Sequence, residues 1–130
     1  MDKISEMLTK IRNAQMAGQK ETVIRPSKLR FALAEILKKE GFIEAVSMEK
    51  EGLIKITLKY YQASKTRKIP AITGLRKISK SGQRIYIKNK DIKDVKNNYG
   101  TAILSTSKGV MTGSESRKLG LGGEYICEVW

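Results

Sequence analysis

One stretch, Ile103-Leu104-Ser105-Thr106-Ser107-Lys108-Gly109-Val110-Met111-Thr112, joins an apolar run to three consecutive hydroxyl side chains and a Lys-Gly turn. We predict a strand at residues 102–104 whose end delivers the hydroxyl groups into a loop. The segment Gly122-Gly123-Glu124 returns towards this loop near the end of the chain. Small polar side chains beside glycines let a sugar-phosphate backbone come close, while neighbouring lysines supply charge. The stretch therefore predicts a binding loop.

Length and charge narrow the class of protein. The chain has 130 residues, with 26 Lys and Arg against 13 Asp and Glu, a formal charge of +13. Such an excess repels itself unless a polyanion neutralises it, so nucleic acid is the leading partner class. A membrane partner is less favoured, because we find no basic amphipathic helix, membrane span or signal peptide in the sequence. We therefore expect a cytoplasmic protein.

Residues 1–61 predict an α-β-α-β-β lobe. Strands are expected at residues 22–25, 42–47 and 53–61, and Ser27 is placed to cap the second helix. Residues 54, 56, 58 and 60 should share one face of the last strand. The apolar stripes of the two helices are Ile4, Met7, Leu8, Ile11 and Ala14, then Leu29, Ala32, Leu33, Ile36 and Leu37.

Residues 62–68 show no periodicity and are predicted to be a basic linker or mobile loop, after which residues 69–130 form a mainly β lobe. Ten basic residues and one acid lie between residues 62 and 93. Residues 75–78 and 84–88, with a turn at Ser81-Gly82, predict a basic hairpin. Alternation would place Arg84, Tyr86 and Lys88 on one face of its second strand. The expected class is α+β with two small lobes.

The remainder of the second lobe follows from local signals. A short helical turn is predicted at residues 91–95 and a terminal strand at residues 124–130. Thr112 and Glu115 have the spacing of a capping box, which predicts a helix that ends near Leu119 and Gly120. Cys127 is the only cysteine, so no internal disulfide can form, and a small buried apolar role is its simplest interpretation.

The residue types in the chain give little support for catalysis or for metal binding. The chain has no histidine, which excludes triads that use histidine as base and metal sites that use it as ligand. Ser105 and Lys108 match a Ser-x-x-Lys nucleophile motif, but its companion segments are absent. The glycines at 120, 122 and 123 precede a strand and lack the Gly-Lys-Ser/Thr ending of a phosphate loop. We predict no catalytic residue, cofactor or metal.

Several residues keep two interpretations. Tyr86 is either a stacking surface for a nucleotide or a core ring. The hydroxyl groups of residues 105–107 either bind RNA or close a turn on their own backbone. Glu124 either accepts from a base, orients a nearby cation or is an exposed strand residue. At the level of function, the alternatives to RNA binding are a basic module that contacts acidic proteins and an enzyme that uses carboxylate-bound metals on RNA.

The chain resembles, over its whole length, the family of the bacterial-type eighth protein of the small ribosomal subunit. The resemblance rests on Ile4–Ala14, Ser27-Lys28-Leu29, Ile36–Ile43 and Ile78–Tyr86. It is most specific at Leu104–Thr112, followed by Gly122-Gly123-Glu124, Cys127, Val129 and Trp130. Four residues depart from those usual in the family: Ser81 stands in place of proline, Asn98-Tyr99 in place of Gly-Leu, and Ser116 in place of alanine.

The resemblance implies a primary binder of small-subunit ribosomal RNA that attaches to a helix of the central domain and helps the platform assemble. It also implies contacts with neighbouring ribosomal proteins and, in some bacteria, repression of its own operon through the messenger RNA. The main RNA site is expected at Arg84, Tyr86, Lys88, Ser105, Thr106, Ser107, Lys108, Gly109, Gly122, Gly123 and Glu124. A weaker second contact is expected at Arg12, Asn13, Lys28, Arg30 and Lys55.

Overall fold

The computed structural model describes residues 3–93 and 100–130. These residues form two units, residues 3–73 and residues 74–130. Both units contain helix and sheet, which confirms the α+β class. Part of the helical turn predicted at residues 91–95 lies outside the described residues. Asn98 and Tyr99 lie outside them entirely.

The first unit packs two helices and a three-stranded sheet. The sheet is antiparallel with the order β1-β3-β2. Its buried face carries Ile54, Ile56 and Leu58, the alternate positions that the sequence predicted. The elements are α1 (Lys3–Met16), β1 (Glu21–Ile24), α2 (Lys28–Lys39), β2 (Ile43–Met48) and β3 (Ile54–Leu58).

Both helices follow their predicted signals closely. All five residues of the α1 stripe are buried. The α2 helix begins where expected, since the Ser27 hydroxyl accepts a hydrogen bond from the Arg30 backbone N–H at 3.0 Å. Gly41 follows α2 with φ +84°, a conformation that favours glycine. Local capping rules therefore fix both ends of α2.

The buried face of α2 matches the predicted stripe only in part. Leu33 and Leu37 are buried as predicted, whereas Leu29, Ala32 and Ile36 are partly exposed. Ala34 is buried although it was not predicted, and so is Arg30, which the sequence placed among the weaker RNA contacts. The Arg30 guanidinium donates to the Lys3 carbonyl at 2.9 Å, the Arg25 carbonyl at 3.0 Å and the Glu6 carboxylate at 3.3 Å. Arg30 thus binds the start of α1 to α2, and its donors are turned inward instead of towards a ligand.

The segment predicted as a linker is the tip of a hairpin. Strand β4 (Tyr60–Gln62) pairs antiparallel with β5 (Lys68–Pro70), with Tyr61 opposite Ile69. The strand predicted over residues 53–61 therefore divides after Leu58. The pairing was missed because its second strand has no apolar alternation. Residues 69–73, expected in the second lobe, consequently belong to the first unit.

Strand β10 (Gly123–Val129) is the central strand of the second unit. One of its edges pairs with β8 (Thr101–Thr106), which in turn pairs with β9 (Gly109–Thr112). Its other edge pairs with β7 (Tyr86–Ile87) near the start of β10 and with β6 (Leu75–Lys77) near its end. The remaining elements are a 3₁₀ turn at Asn89–Asp91 and the helix α3 (Gly113–Lys118).

The basic hairpin predicted between residues 75 and 88 is replaced by this arrangement. Strands β6 and β7 run in the same direction and each pairs with β10. Only Lys80 and Gln83 pair as a hairpin would, with reciprocal backbone bonds of 2.9 and 3.0 Å around Ser81-Gly82. The serine at position 81 therefore leaves this tight turn closed. Sequence periodicity cannot show which strand supplies the partner, because that choice depends on distant residues.

The end of the chain confirms two local predictions. The Thr112 hydroxyl caps α3 by accepting from the Glu115 backbone N–H at 3.1 Å, and the helix ends before Gly120, which has φ +72°. Cys127 is fully buried, and this burial raises the pKa of its thiol to about 12. Cys127 is thus a core residue.

We expect Arg30→Met to lower the free energy of unfolding by about 2–4 kcal/mol, because two backbone carbonyls lose a buried donor. Urea denaturation followed by circular dichroism measures this. The control is Arg25→Met, which removes a solvent-exposed guanidinium that bonds the same carboxylate at 3.3 Å. The control should change the unfolding midpoint little. Equal losses in both variants would contradict a buried structural role for Arg30.

We expect the Cys127 thiol to be unreactive towards a disulfide reagent at pH 8 while the protein is folded. The reagent requires the thiolate, and a pKa raised to about 12 by burial leaves almost none at this pH. Addition of guanidinium chloride should expose the thiol and release one equivalent of chromophore. Rapid stoichiometric reaction of the native protein would show that this part of the core is open.

Candidate nucleic-acid interface

Four neighbouring strands place one residue each in a row across the second sheet. Tyr86 of β7 lies opposite Glu124 of β10, Glu124 lies opposite Ser105 of β8, and Ser105 lies opposite Val110 of β9. Directly paired residues on adjacent strands project to the same face. The predicted residues Tyr86, Glu124 and Ser105, which are far apart in sequence, therefore form one continuous line on the surface.

The hydroxyl stretch forms a tight hairpin turn between β8 and β9. Thr106 pairs with Gly109, so Ser107 and Lys108 occupy the turn. The Thr106 hydroxyl donates to the Gly109 carbonyl at 2.9 Å and accepts from the Lys108 backbone N–H at 3.2 Å. Gly109 has φ +114°, which favours glycine. Of the two interpretations left open for residues 105–107, closure of the turn therefore applies to Thr106.

Ser105, Ser107 and Lys108 are differently placed. Ser107 and Lys108 are exposed, and Ser105 is partly exposed at the end of β8. Within residues 3–93 and 100–130, neither serine hydroxyl makes a hydrogen bond. Two neutral donors and one ammonium group thus remain available on a turn that Thr106 holds in shape.

The paired glycines lie where strands approach too closely for a side chain. A Cβ atom on Gly123 would overlap the Ser105 carbonyl oxygen and lie 2.9 Å from the carbonyl carbon. A Cβ atom on Gly122 would lie 2.5 Å from the Ile87 carbonyl oxygen. These clashes require glycine at both positions. The two glycines thus let the start of β10 fit between β7 and β8, which places Glu124 between Tyr86 and Ser105.

Glu124 is anchored by groups from the edge of the sheet. Its Oε2 atom accepts from the Ser79 hydroxyl at 2.6 Å and from the Arg84 guanidinium at 3.2 Å. Ser79 is fully buried, and its hydroxyl also accepts from the Ile85 backbone N–H at 3.1 Å. Of the three interpretations of Glu124, the structure supports orientation of a nearby cation. Ser79 was missed because a single serine inside a basic run gives no sequence signal.

The predicted alternation at residues 84–88 is confirmed by exposure. Arg84, Tyr86 and Lys88 are exposed, while Ile85 and Ile87 are partly buried. The side chain of Tyr86 is 72% exposed, so Tyr86 is a surface ring and not a core ring. An exposed aromatic face between two cations is suited to stacking on a base while its phosphates are neutralised.

A second group of polar residues supports the approach to Gly122. The Asn89 side-chain amide donates to the carbonyls of Ser116 and Leu121, both at 3.2 Å. Ser116 is buried, and its hydroxyl donates to the Leu121 carbonyl at 2.5 Å. The serine that departs from the family's usual alanine is thus accommodated by a hydrogen bond. Asn89 was also missed, since its partners are distant in sequence.

The weaker predicted contacts lie in the first unit and are not equivalent. Arg12, Asn13 and Lys28 are exposed. Arg30 is buried, as described above. Lys55 lies 3.2 Å from Glu49 and 3.8 Å from Glu21, and its hydrogen bond to Glu49 raises the pKa of the lysine. A phosphate would have to compete with two carboxylates for Lys55, so this residue is a poorer candidate than the exposed three.

The groups on this surface are of kinds that suit binding. Within the described ranges, no three His, Cys, Asp or Glu side chains are grouped as metal ligands would be. Among the same residues, none of the helices is long and apolar enough to cross a membrane. The sheet surface combines cations, an exposed ring and uncommitted hydroxyls. Fold and surface together define a small, basic α+β protein whose second unit has the features of a nucleic-acid-binding face.

Comparison with known proteins gives the family. A family model described as Ribosomal protein S8 matches residues 2–130. A small ribosomal subunit protein uS8 of Nitratidesulfovibrio vulgaris (strain DP4) is 47% identical over 129 residues, which cover 99% of this chain and 98% of the relative. Another uS8 protein, from Caldanaerobacter subterraneus subsp. tengcongensis, is 50% identical over 132 residues, covering 99% of this chain and 97% of the relative.

The chain therefore belongs to the ribosomal protein S8 family. This is a family of structural proteins of the small ribosomal subunit, and the resemblance seen in the sequence is confirmed. The place of such a protein is the ribosome, which in bacteria lies in the cytoplasm.

We expect Gly123→Ala to destabilise the second unit by about 1–3 kcal/mol, because the new methyl group must displace the Ser105 carbonyl. Thermal unfolding followed by circular dichroism measures the loss. The control is Gly82→Ala, since a Cβ atom there would have no neighbour within 4 Å. An unchanged melting temperature for Gly123→Ala would mean that β8 and β10 do not need this close approach.

Proposed function

We propose that this chain is a primary binder of small-subunit ribosomal RNA and that it attaches to an irregular helix of the central domain. In this role it would help the platform of the subunit assemble. The observation that carries the proposal is the row Tyr86, Glu124, Ser105 across three strands, with the Ser107-Lys108 turn at its end. A flat ring, neutral donors and cations are thus combined on one face.

The groups of this surface divide into two kinds. Arg84, Lys88 and Lys108 carry full charges and suit phosphates, which are the same in every RNA. Ser105, Ser107 and Tyr86 offer neutral hydrogen bonds and a stacking face, which suit exposed bases and 2′-hydroxyl groups. We infer that the first kind supplies most of the affinity and that the second kind supplies the preference for one RNA.

Glu124 has an indirect role in this proposal. A carboxylate beside RNA phosphates is repelled unless it is paired. The hydrogen bonds from Ser79 and Arg84 pair it and hold the guanidinium over the sheet edge. The Arg84 side chain remains 49% exposed, so its other N–H groups can reach a phosphate. The acid thus fixes the direction of a cation.

A basic surface that meets an acidic protein is the alternative from another class. Acidic proteins would satisfy the cations but offer no flat base for Tyr86 and no 2′-hydroxyl groups for the serines. Treatment of a lysate with ribonuclease separates the two cases, since a protein complex should survive it. The same surface of the protein would also bind a messenger RNA from the chain's own operon, provided that the messenger RNA folds into the shape of the ribosomal RNA site.

We expect Ser105→Ala/Ser107→Ala to weaken binding to a central-domain ribosomal RNA fragment about tenfold or more, since two hydrogen bonds to RNA are lost. The salt dependence of binding should change little. Arg84→Gln should instead reduce the slope of log K against log salt by about the contribution of one phosphate contact. Filter binding across a salt series measures both quantities.

The controls separate readout from general charge. A scrambled RNA of equal length should bind the wild-type chain roughly a thousandfold more weakly at physiological salt. Ser47→Ala/Ser114→Ala removes two other exposed hydroxyl groups and should leave both affinities unchanged. Equal weakening of fragment and scrambled RNA by the Ser105 and Ser107 substitutions would contradict their role in recognition.

A further inference from the structure

The β4–β5 hairpin of the first unit, residues 59–70, has a charge pattern that the main site does not use. It carries Lys59, Lys65, Arg67 and Lys68 and no acid. The nearest acids along the chain are Glu51 and Asp91, so the sequence around the hairpin offers no local carboxylate partner. Residues 61–69 are exposed throughout. Four cations are thus concentrated on a projection that is exposed to solvent.

An aromatic ring lies on the same hairpin. Tyr61 is 55% exposed and pairs across the strands with Ile69, which is 43% exposed. The Lys59 ammonium group lies 5.4 Å from the centroid of the Tyr61 ring. Tyr61 and Ile69 therefore form a small exposed apolar surface, and the Lys59 ammonium group lies over one face of the Tyr61 ring. An exposed aromatic ring among cations is suited to stacking on a nucleotide base.

Positive charge is present on the other face of the hairpin as well. Tyr60 and Pro70 are cross-strand partners there, and both line a cleft of about 440 Å³. Lys20 and Lys68 also line this cleft. Cations thus lie on both faces of the hairpin, where a polyanion would be attracted by them and a neutral apolar ligand would not use them.

We propose that the β4–β5 hairpin is a second RNA-binding surface, which takes an unpaired stretch of RNA with one base stacked on Tyr61. Lys59, Lys65 and Arg67 contact the neighbouring phosphates. A nucleic acid is favoured as the occupant because, among common polyanions, only nucleic acids also present flat bases. RNA is the nucleic acid that the proposed function already brings to this protein. The inference rests on the proposed function and extends it from the second unit to the first.

The test uses the full chain and a fluorescein-labelled oligouridine of roughly ten nucleotides, which has no fold to recognise. We expect Tyr61→Leu to weaken binding at least about fivefold, since a stacked base is lost. Tyr61→Phe keeps the ring and should bind as the wild type does. If Tyr61→Leu binds oligouridine as tightly as the wild type, or if Tyr61→Phe is equally impaired, the stacking role is overturned.

A matched pair of variants tests the charges. Lys65→Ser/Arg67→Ser and Lys38→Ser/Lys50→Ser each remove two exposed cations from the first unit. Only the hairpin variant should reduce the slope of log K against log salt for oligouridine binding, by about the contribution of two phosphate contacts. Equal effects of the two variants would mean that net charge, and not the hairpin, binds the strand. An acidic protein as the true occupant would leave oligouridine binding unchanged in every hairpin variant.

The two proposals fail in different measurements. The second-unit site is tested by the preference for the central-domain fragment over scrambled RNA, which Tyr61→Leu should leave intact. The hairpin is tested by oligouridine affinity, which Ser105→Ala/Ser107→Ala should leave intact. Loss of the fragment preference in the wild type would remove the proposed function alone, while oligouridine binding that is insensitive to Tyr61 would remove only the hairpin inference.

Discussion

The close approach of β10 to β8 at Gly123 is the constraint on which the second unit depends. Because Gly123 has no Cβ atom, the strand can lie against the Ser105 carbonyl and still pair with β7 on its other edge. This contact sets the register that places Glu124 between Ser105 and Tyr86. Since a shift of one residue would send every side chain of a strand to the opposite face, the surface exists only in this register.

Buried polar groups hold neighbouring side chains and helices in position through hydrogen bonds. In the second unit, Ser79 is buried and fixes Glu124, which in turn directs Arg84. In the first unit, Arg30 is buried and joins α2 to the start of α1. A buried donor that loses its partners is costly, so each group enforces one arrangement of its neighbours. The difference lies in what is held: Arg30 stabilises the fold, while Ser79 positions a side chain that reaches the surface.

Local signals predicted much of this molecule, and non-local pairing accounts for most of the errors. The stripe of α1, the caps at Ser27 and Thr112 and the alternation at residues 84–88 depend on residues within a few positions of one another, so the sequence alone was sufficient. Strand β5 was missed because its residues show no apolar alternation, whereas the pairing of β6 and β7 with β10 and the burial of Arg30 depend on distant residues. Ser79 and Asn89 were missed for the same reason. Hydrogen-bond partners across a fold leave no periodic signature.

The hydroxyl stretch shows why a motif and a binding site are not the same thing. Thr106 uses its hydroxyl to close the turn, so its contribution to any ligand is made through the shape of the backbone. Ser105 and Ser107, on either side of Thr106, keep their hydroxyl groups uncommitted among the described residues. A turn that is already closed costs less entropy to bind than a flexible loop would. Of three similar side chains, Thr106 thus holds the shape of the turn, while Ser105 and Ser107 carry hydroxyl groups that this shape leaves accessible.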